Sequence, residues 1–238
     1  MNIDFDNSYA RLPEKFYSNV KPTPVKSPNI IKLNNILADE LGIKFDNMQP
    51  EIFFSGNSLL SGSQPIAMAY AGHQFGNWVP QLGDGRAILL GEILDSSGSR
   101  VDVQLKGSGI TPFSRQGDGR AALGPVLREY LVSEAMHALG IPTTRALAAA
   151  ITGEPVYRET VLPGAVLTRV SQSYVRVGTF EFFAVRDDEK ATKILADYVI
   201  NRLYPHISKD KNPYSSLLRE VSCRQAKLVA KWMSVGFI

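Results

Sequence analysis

The sequence predicts an α+β fold, and three observations carry that prediction. An apolar run over residues 86–94 and an alternating segment, Val101 to Lys106, are separated by a short polar turn, which is the pattern of a β-hairpin. A long helical pattern covers about 120–139, and two more, about 188–203 and 214–233, close the chain. A strand-rich middle is thus followed by helices that close the chain, which is the pattern of an α+β fold.

Composition narrows the class further. The chain has 238 residues, 44% hydrophobic and 21% charged, with a net charge of +3, ordinary values for a chain with a packed core. Nothing in that balance points to a nucleic-acid coat or a membrane-surface binder. Three histidines and one cysteine leave little material for a zinc or iron site. Cys223 has no internal disulfide partner and is expected to be a structural thiol in a reducing compartment. No apolar run approaches the ~20 residues of a membrane span, and no targeting signal is seen, so the expectation is a cytoplasmic protein with no membrane or nucleic-acid partner.

Taken in order, the segment up to about Leu60 opens with aromatics and prolines, and residues 18–28 should run extended. The apolar residues Ile30, Ile31, Leu33, Ile36, Leu37 and Leu41 predict a helix over about 29–41, stopped by Gly42. A second helical start is expected around 65–73. Gly83-Asp84-Gly85 leads into the strand at 86–94, and Asp95-Ser-Ser-Gly-Ser99 turns the chain into the next strand. There Val101, Val103 and Leu105 share one face, whereas Asp102, Gln104 and Lys106 share the other. The helix at about 120–139 is expected to bury Leu123, Leu127, Tyr130, Leu131, Ala135 and Leu139, and to end at Gly140 and Pro142. Two or three strands are expected between 144 and 186, Ala165 to Val170 being the clearest.

The chemistry-bearing residues stand in the order glycine loop, strand ending in Lys106, helix carrying Glu129. Gly83-Asp84-Gly85-Arg86 reads either as a plain hairpin entrance or as a loop whose backbone N–H groups reach phosphate oxygens. Glu129 sits between Val126 and Val132 on its helix strip, and a carboxylate there needs a cation. Lys106 is the leading partner; Arg128 or Arg120 would serve a purely structural pairing. The linker Lys106 to Arg120 holds four glycines, two arginines and three hydroxyls, a donor-rich composition at a helix start that suits an anion. Arg169 and Arg176, seven positions apart around a turn, have the donor geometry to clamp a polyphosphate.

Longer segments then carry a resemblance. Tyr70-Ala-Gly-His-Gln-Phe-Gly76, Gln81-Leu-Gly-Asp-Gly-Arg86, Gln104-Leu-Lys-Gly-Ser-Gly-Ile-Thr-Pro-Phe-Ser-Arg115, Gly117 to Tyr130, Leu167-Thr-Arg-Val170 and Arg176-Val-Gly-Thr-Phe-Glu-Phe182 together resemble the selenoprotein O (YdiU) family. The resemblance implies a protein-kinase-like fold with an N-terminal extension (1–80), a small lobe (81–186) and the start of a helical large lobe (187–238). It implies ATP as substrate, bound in a flipped orientation, with AMP (and UMP in bacterial members) transferred to hydroxyl side chains of proteins. By motif, Lys106 and Glu129 match the family's ion pair; Gly83, Gly85, Arg86, Asp118 and Gly119 match its nucleotide contacts; and Arg169 and Arg176 match the arginines that accommodate the flipped nucleotide.

Family members also carry a catalytic Asp and metal-ligating Asn and Asp, which would hold Mg or Mn and which are expected beyond Ile238. No catalytic or metal residue is therefore assigned within the chain, and the expectation is a truncated, inactive nucleotide cradle. Its apolar last helix would favour self-association through the exposed surface. An ordinary kinase-like phosphotransferase, or a catalytically dead fragment acting as a binding module, are the alternatives.

Overall fold

The computed structural model describes residues 4–45 and 49–237. Ten strands and six α-helices follow in chain order: β1 (Tyr17–Asn19), β2 (Asn29–Leu33), α1 (Asn35–Glu40), α2 (Pro50–Phe54), β3 (Ile66–Met68), β4 (Gly72–Gln74), β5 (Asn77–Val79), β6 (Ala87–Leu94), β7 (Arg100–Lys106), β8 (Ala121–Ala122), α3 (Leu123–Ala138), β9 (Arg145–Tyr157), β10 (Val161–Ser171), α4 (Val177–Ala184), α5 (Glu189–Leu203) and α6 (Pro213–Ser234). Eight strands form one antiparallel sheet in the order β1-β3-β6-β7-β10-β9-β2, with β8 joined to β10. Strands β4 and β5 make a separate hairpin between β3 and β6.

The expected hairpin and the closing helices are present, so the mixed α and β character holds. The hairpin strands β6 and β7 pair from Ala87↔Lys106 to Leu94↔Arg100. Helices cover both sheet faces. On one face Leu37, Leu41, Phe53 and Phe54 of the α1–α2 region pack on Leu90, Val103, Leu105, Leu147 and Val166. On the other, α3 packs through Val126 and Tyr130 on Ala146, Ala149, Ala165 and Leu167. Beside it Phe183, Leu195, Val199, Ile200 and Leu217 of α4–α6 pack on Tyr9, Phe16 and Leu89. The alanines of β9 matter here, because small side chains let α3 approach the sheet closely.

Several expectations fail for identifiable reasons. The predicted helix at 29–41 splits: Asn29–Leu33 is edge strand β2 paired with β9, and only Asn35–Glu40 is helical, its N-terminus capped by Asn34, whose side chain accepts from the Leu37 N–H. Two adjacent β-branched isoleucines suit a strand when a neighbour offers an unpaired edge. The helical start at 65–73 is replaced by β3 and β4. Helix α4 arises where strands were expected; its aromatic and β-branched sequence is strand-like locally, and packing decides otherwise.

The buried stripe of α3 also differs. Leu131 and Leu139 are exposed, whereas Val126, Tyr130 and Ser133 are buried. The inward stripe is 126, 129, 130, 133 and 134, and it includes two glutamates. Glu129 meets Lys106, and Glu134 takes two hydrogen bonds from Arg145, Nε at 2.9 Å and Nη2 at 2.9 Å, plus one from the Ala146 N–H. These ionic anchors fix the rotation of the helix against leucine burial. Helix α6 buries only Leu217 while Leu218, Val229 and Met233 remain exposed, and Cys223 is exposed on it. No helix among the described residues is long and apolar enough to cross a membrane.

Candidate functional site

Strand β7 places Asp102, Gln104 and Lys106 on the sheet face that carries α3 and α5. The alternation read from the sequence holds, with Val103 and Leu105 in the opposite core. Each polar side chain meets a different partner. Lys106 Nζ donates to Glu129 Oε2, and both side chains are about a quarter exposed. Arg169 reaches the same carboxylate from β10, its Nη1 donating to Glu129 Oε1 at 3.0 Å. This juxtaposition follows from register, since Leu167 stands opposite Lys106 and Arg169 opposite Gln104.

Glu129 is therefore shared by two cations, and neither Arg120 nor Arg128 is its partner. Arg120 instead donates to the backbone of Thr23 and Pro24 and approaches Glu154. Arg169 is held further by Gln104, whose Oε1 accepts from Nε at 2.8 Å and Nη2 at 2.6 Å, and its guanidinium lies 5.0 Å from the Tyr174 ring centre. Most of its donors are committed to positioning, so Arg169 braces Glu129.

The electrostatics follow from this packing. Burial would raise the Glu129 pKa, but Arg169 and Lys106 outweigh it and hold the carboxyl below the ordinary glutamate value. Burial, reinforced by the nearby Arg169 charge, lowers the Lys106 pKa, with Glu129 opposing. Lys106 keeps two N–H donors free of Glu129, and a fixed ammonium with spare donors is an anion ligand.

Around this pair stand the glycine loop and two more arginines. The Gly83-Asp84-Gly85 turn is held to the 111–114 loop, with Thr111 Oγ1 donating to Asp84 O at 2.6 Å and Ser114 Oγ to Gly85 O. Gly83 has φ +62°, and a Cβ there would fall 2.2 Å from the Phe113 ring. At Gly85 a Cβ would lie 2.8 Å from the Phe113 carbonyl oxygen. Both glycines thus have a packing reason of their own. Asp84 is buried, accepts from the Met68 N–H at 3.1 Å and Gln104 Nε2 at 3.2 Å, and its pKa is raised by burial.

Tyr70 gathers the arginines. Its backbone oxygen accepts from Leu82 and Gly83, and the Arg176 guanidinium lies 4.9 Å from its ring centre. Burial raises the Tyr70 pKa and Asp84 adds to that, while Arg176, Arg169 and Arg86 oppose it. Arg176 precedes α4, where its N–H donates to Thr179 Oγ1 at 3.0 Å. Arg86 and Arg176 are exposed and take part in none of the ion pairs formed with Glu129. Lys106, Arg86, Arg169 and Arg176 thus face two carboxylates, a local positive excess suited to a polyanion.

Asp118 and Gly119 lie at the other end of the neighbouring loop. Asp118 is paired in bidentate fashion with Arg158, at 2.8 and 3.0 Å, which holds its pKa low. Gly119, at φ +65°, presses against Gly109, where a Cβ would sit 2.0 Å from the carbonyl oxygen. The residues that sequence reasoning gave no role are Gln104, Tyr70, Asp84 and Tyr174. Gln104 had a signal in its place on the same strand face as Lys106, and Tyr70 and Asp84 had one in the motifs that contain them, whereas Tyr174 had none.

Among the described residues no group of three or more His, Cys, Asp or Glu side chains is arranged to hold a metal ion. Glu129 and Asp84 are already engaged, so these residues do not fit a divalent cation, and no step is derived through one.

The family described as protein adenylyltransferase SelO matches residues 1–238. Proteins named "protein nucleotidyltransferase YdiU" are 65% identical over 238 residues in Rhizobium rhizogenes, covering 99% of this chain and 47% of that protein. The Rhizobium meliloti protein of that name is 64% identical over 236 residues, covering 98% and 48%. In Alkalilimnicola ehrlichii the identity is 62% over 237 residues, covering 98% and 48%. The chain spans about half the length of these curated relatives. With its match running from Met1 to Ile238, the chain belongs to the protein adenylyltransferase SelO family.

Proposed function

We propose that this chain is the nucleotide-binding part of a protein adenylyltransferase, with ATP as substrate and hydroxyl side chains of proteins as acceptors. The observation that carries the reading is the Lys106–Glu129–Arg169 cluster with Arg86 and Arg176 beside it. A lysine on a central antiparallel strand, held by a glutamate from the adjacent helix, is also how a protein-kinase-like small lobe presents its phosphate ligand. That parallel supports a kinase-like reading of the fold.

In this reading Lys106 binds the polyphosphate, Glu129 holds the lysine in place, and Arg169 braces Glu129 and adds charge. Arg86 and Arg176 approach the polyphosphate from the open side, and Gly83 and Gly85 let the loop pass close to it. Asp118 and Gly119 border the nucleotide at the far end of the loop. The resident charges act by positioning and electrostatic stabilisation. In the reaction the acceptor hydroxyl gives up its proton to solvent and its oxygen bonds to the α-phosphorus as the bond to the bridging oxygen breaks, and pyrophosphate leaves. UMP transfer follows the same scheme with UTP.

The test is to supply ATP labelled at the α- or the γ-phosphate, with protein acceptors, to the full-length protein that contains these residues. Transfer of α-label alone supports adenylylation. Transfer of γ-label would overturn it in favour of a phosphotransferase. Loss of ATP binding in Lys106→Ala assigns the cradle, and unchanged binding would contradict it.

A further inference from the structure

Arg169, which braces Glu129, and Arg176, proposed to approach the polyphosphate, stand at either end of one short connector. Arg169 lies near the end of β10 and Arg176 precedes α4, so the geometry of residues 170–175 decides where Arg176 points. That connector is held by a buried ionic network on the same β7 face that carries Lys106. Asp102 Oδ2 accepts the Tyr174 N–H at 2.8 Å. Arg202, from α5, donates through Nη2 to Asp102 Oδ1 and also to the Gln172 carbonyl at 2.7 Å. Two backbone groups of the connector are therefore gripped by one carboxylate–guanidinium pair.

The pair is itself enclosed. The Arg202 and Asp102 side chains are 5% and 2% exposed, and Glu92, on the neighbouring strand, is 1% exposed with its Oε2 3.3 Å from Arg202 Nη1. Arg202 Nη1 also donates to the Tyr198 hydroxyl at 2.7 Å, while its buried Nε–H has no partner. Burying two carboxylates and a guanidinium with one donor unsatisfied is a costly way to join a helix to a sheet. An apolar contact would join them at lower cost, whereas a guanidinium serves two sides at once, Nη2 donating to Asp102 and the Gln172 carbonyl while Nη1 donates to the Tyr198 hydroxyl.

We propose that Asp102 and Arg202 are a positioning pair for the nucleotide cradle, fixing the 172–175 connector so that Arg176 is aimed at the polyphosphate. The inference rests on the reading of the cradle given above. Tyr174, whose N–H is held by Asp102, also places its ring under Arg169, so the network touches both arginines. Its stronger effect falls on Arg176, because Arg169 is independently held by Gln104 and Glu129.

The experiment is a double-mutant cycle on this chain, reading ATP affinity by titration calorimetry and Tyr174 amide exchange by NMR. Arg202→Lys keeps the charge and loses the fork. It is expected to speed exchange at the Tyr174 amide and to weaken ATP binding by about tenfold. Asp102→Asn leaves one acceptor for two donors, the Tyr174 N–H and Arg202 Nη2, and is expected to act in the same direction. In an Arg176→Ala background, Arg202→Lys should add almost nothing, since the residue it acts through is gone. ATP affinity unchanged in Arg202→Lys, or penalties that simply multiply with Arg176→Ala, would overturn the inference while leaving the cradle standing. ATP binding that is indifferent to Lys106→Ala would instead overturn the cradle reading beneath it.

Discussion

Replacing Glu129 by Gln isolates the ion pair from everything else at the site. The amide keeps the size and shape of the carboxylate but removes its charge, so Lys106 and Arg169 lose the anion they share. Arg169 should stay, because two of its nitrogens donate to Gln104. Lys106 has no comparable second anchor and is then repelled by Arg169, so its amine should turn towards solvent. A charge-assisted hydrogen bond contributes about 1.5–3 kcal/mol, and the pair is only about a quarter exposed, so solvent screening removes little of this. If that energy goes into presenting Lys106 to phosphate, ATP affinity should fall roughly 10–100-fold in Glu129→Gln. Titration calorimetry with ATP, beside a thermal melt to confirm folding, reads the effect directly. A folded Glu129→Gln chain that binds ATP within about twofold of the parent would refute the claim that this pair positions the phosphate ligand.

Other substitutions test the frame around the cradle. The Asp102 pKa is pushed up from 3.8 to about 6, chiefly by burial, with Arg202 opposing and Glu92 adding to the rise. A raised carboxyl pKa gives stability present below the unfolded value and lost as pH rises through the folded one. The stability of the parent relative to Asp102→Asn should therefore fall by roughly 2 kcal/mol between pH 4 and pH 7, measured by urea unfolding; a flat difference would contradict the assignment. Glu134→Gln weakens the bidentate pair with Arg145 and should cost about 1–3 kcal/mol at neutral pH. The Glu134 pKa is lowered in the fold, its burial outweighed by Arg145 and the Ala146 N–H, so that cost should shrink in acid as the parent gains its proton. Gly119→Ala puts a methyl 2.0 Å from the Gly109 carbonyl oxygen at φ +65°, and should cost about 2–4 kcal/mol by urea unfolding.

How much of this was legible beforehand depends on whether a contact is local. The β6–β7 hairpin and the closing helices are written in periodicity, and each lies within a few residues of its predicted bounds. The polar face of β7 was equally plain, because alternation alone separates Lys106 from Val103 and Leu105. The pairing of Lys106 with Glu129 needed one long-range assumption, and spacing left other partners open. The role of Arg169 was not legible as a brace, because it depends on β10 lying next to β7, which no local pattern states. The leucine stripe of α3 misled for a related reason: its rotation is set by Glu129 and Glu134 reaching cations on other strands. At residues 29–33 the apolar run fits strand and helix alike, and only the open edge of β9 decides. The family motifs narrowed the chemistry further than periodicity did, because they mark the glycine loop, Lys106 and both arginines at once.

A structure of this chain with a non-hydrolysable ATP analogue tests the central claim most directly. Phosphate oxygens are expected within hydrogen-bond distance of Lys106 Nζ and of the Arg176 guanidinium, with the Glu129 carboxylate still bridging Lys106 and Arg169. A nucleotide seated elsewhere on the molecule, with Lys106 still bound only to Glu129, would contradict it.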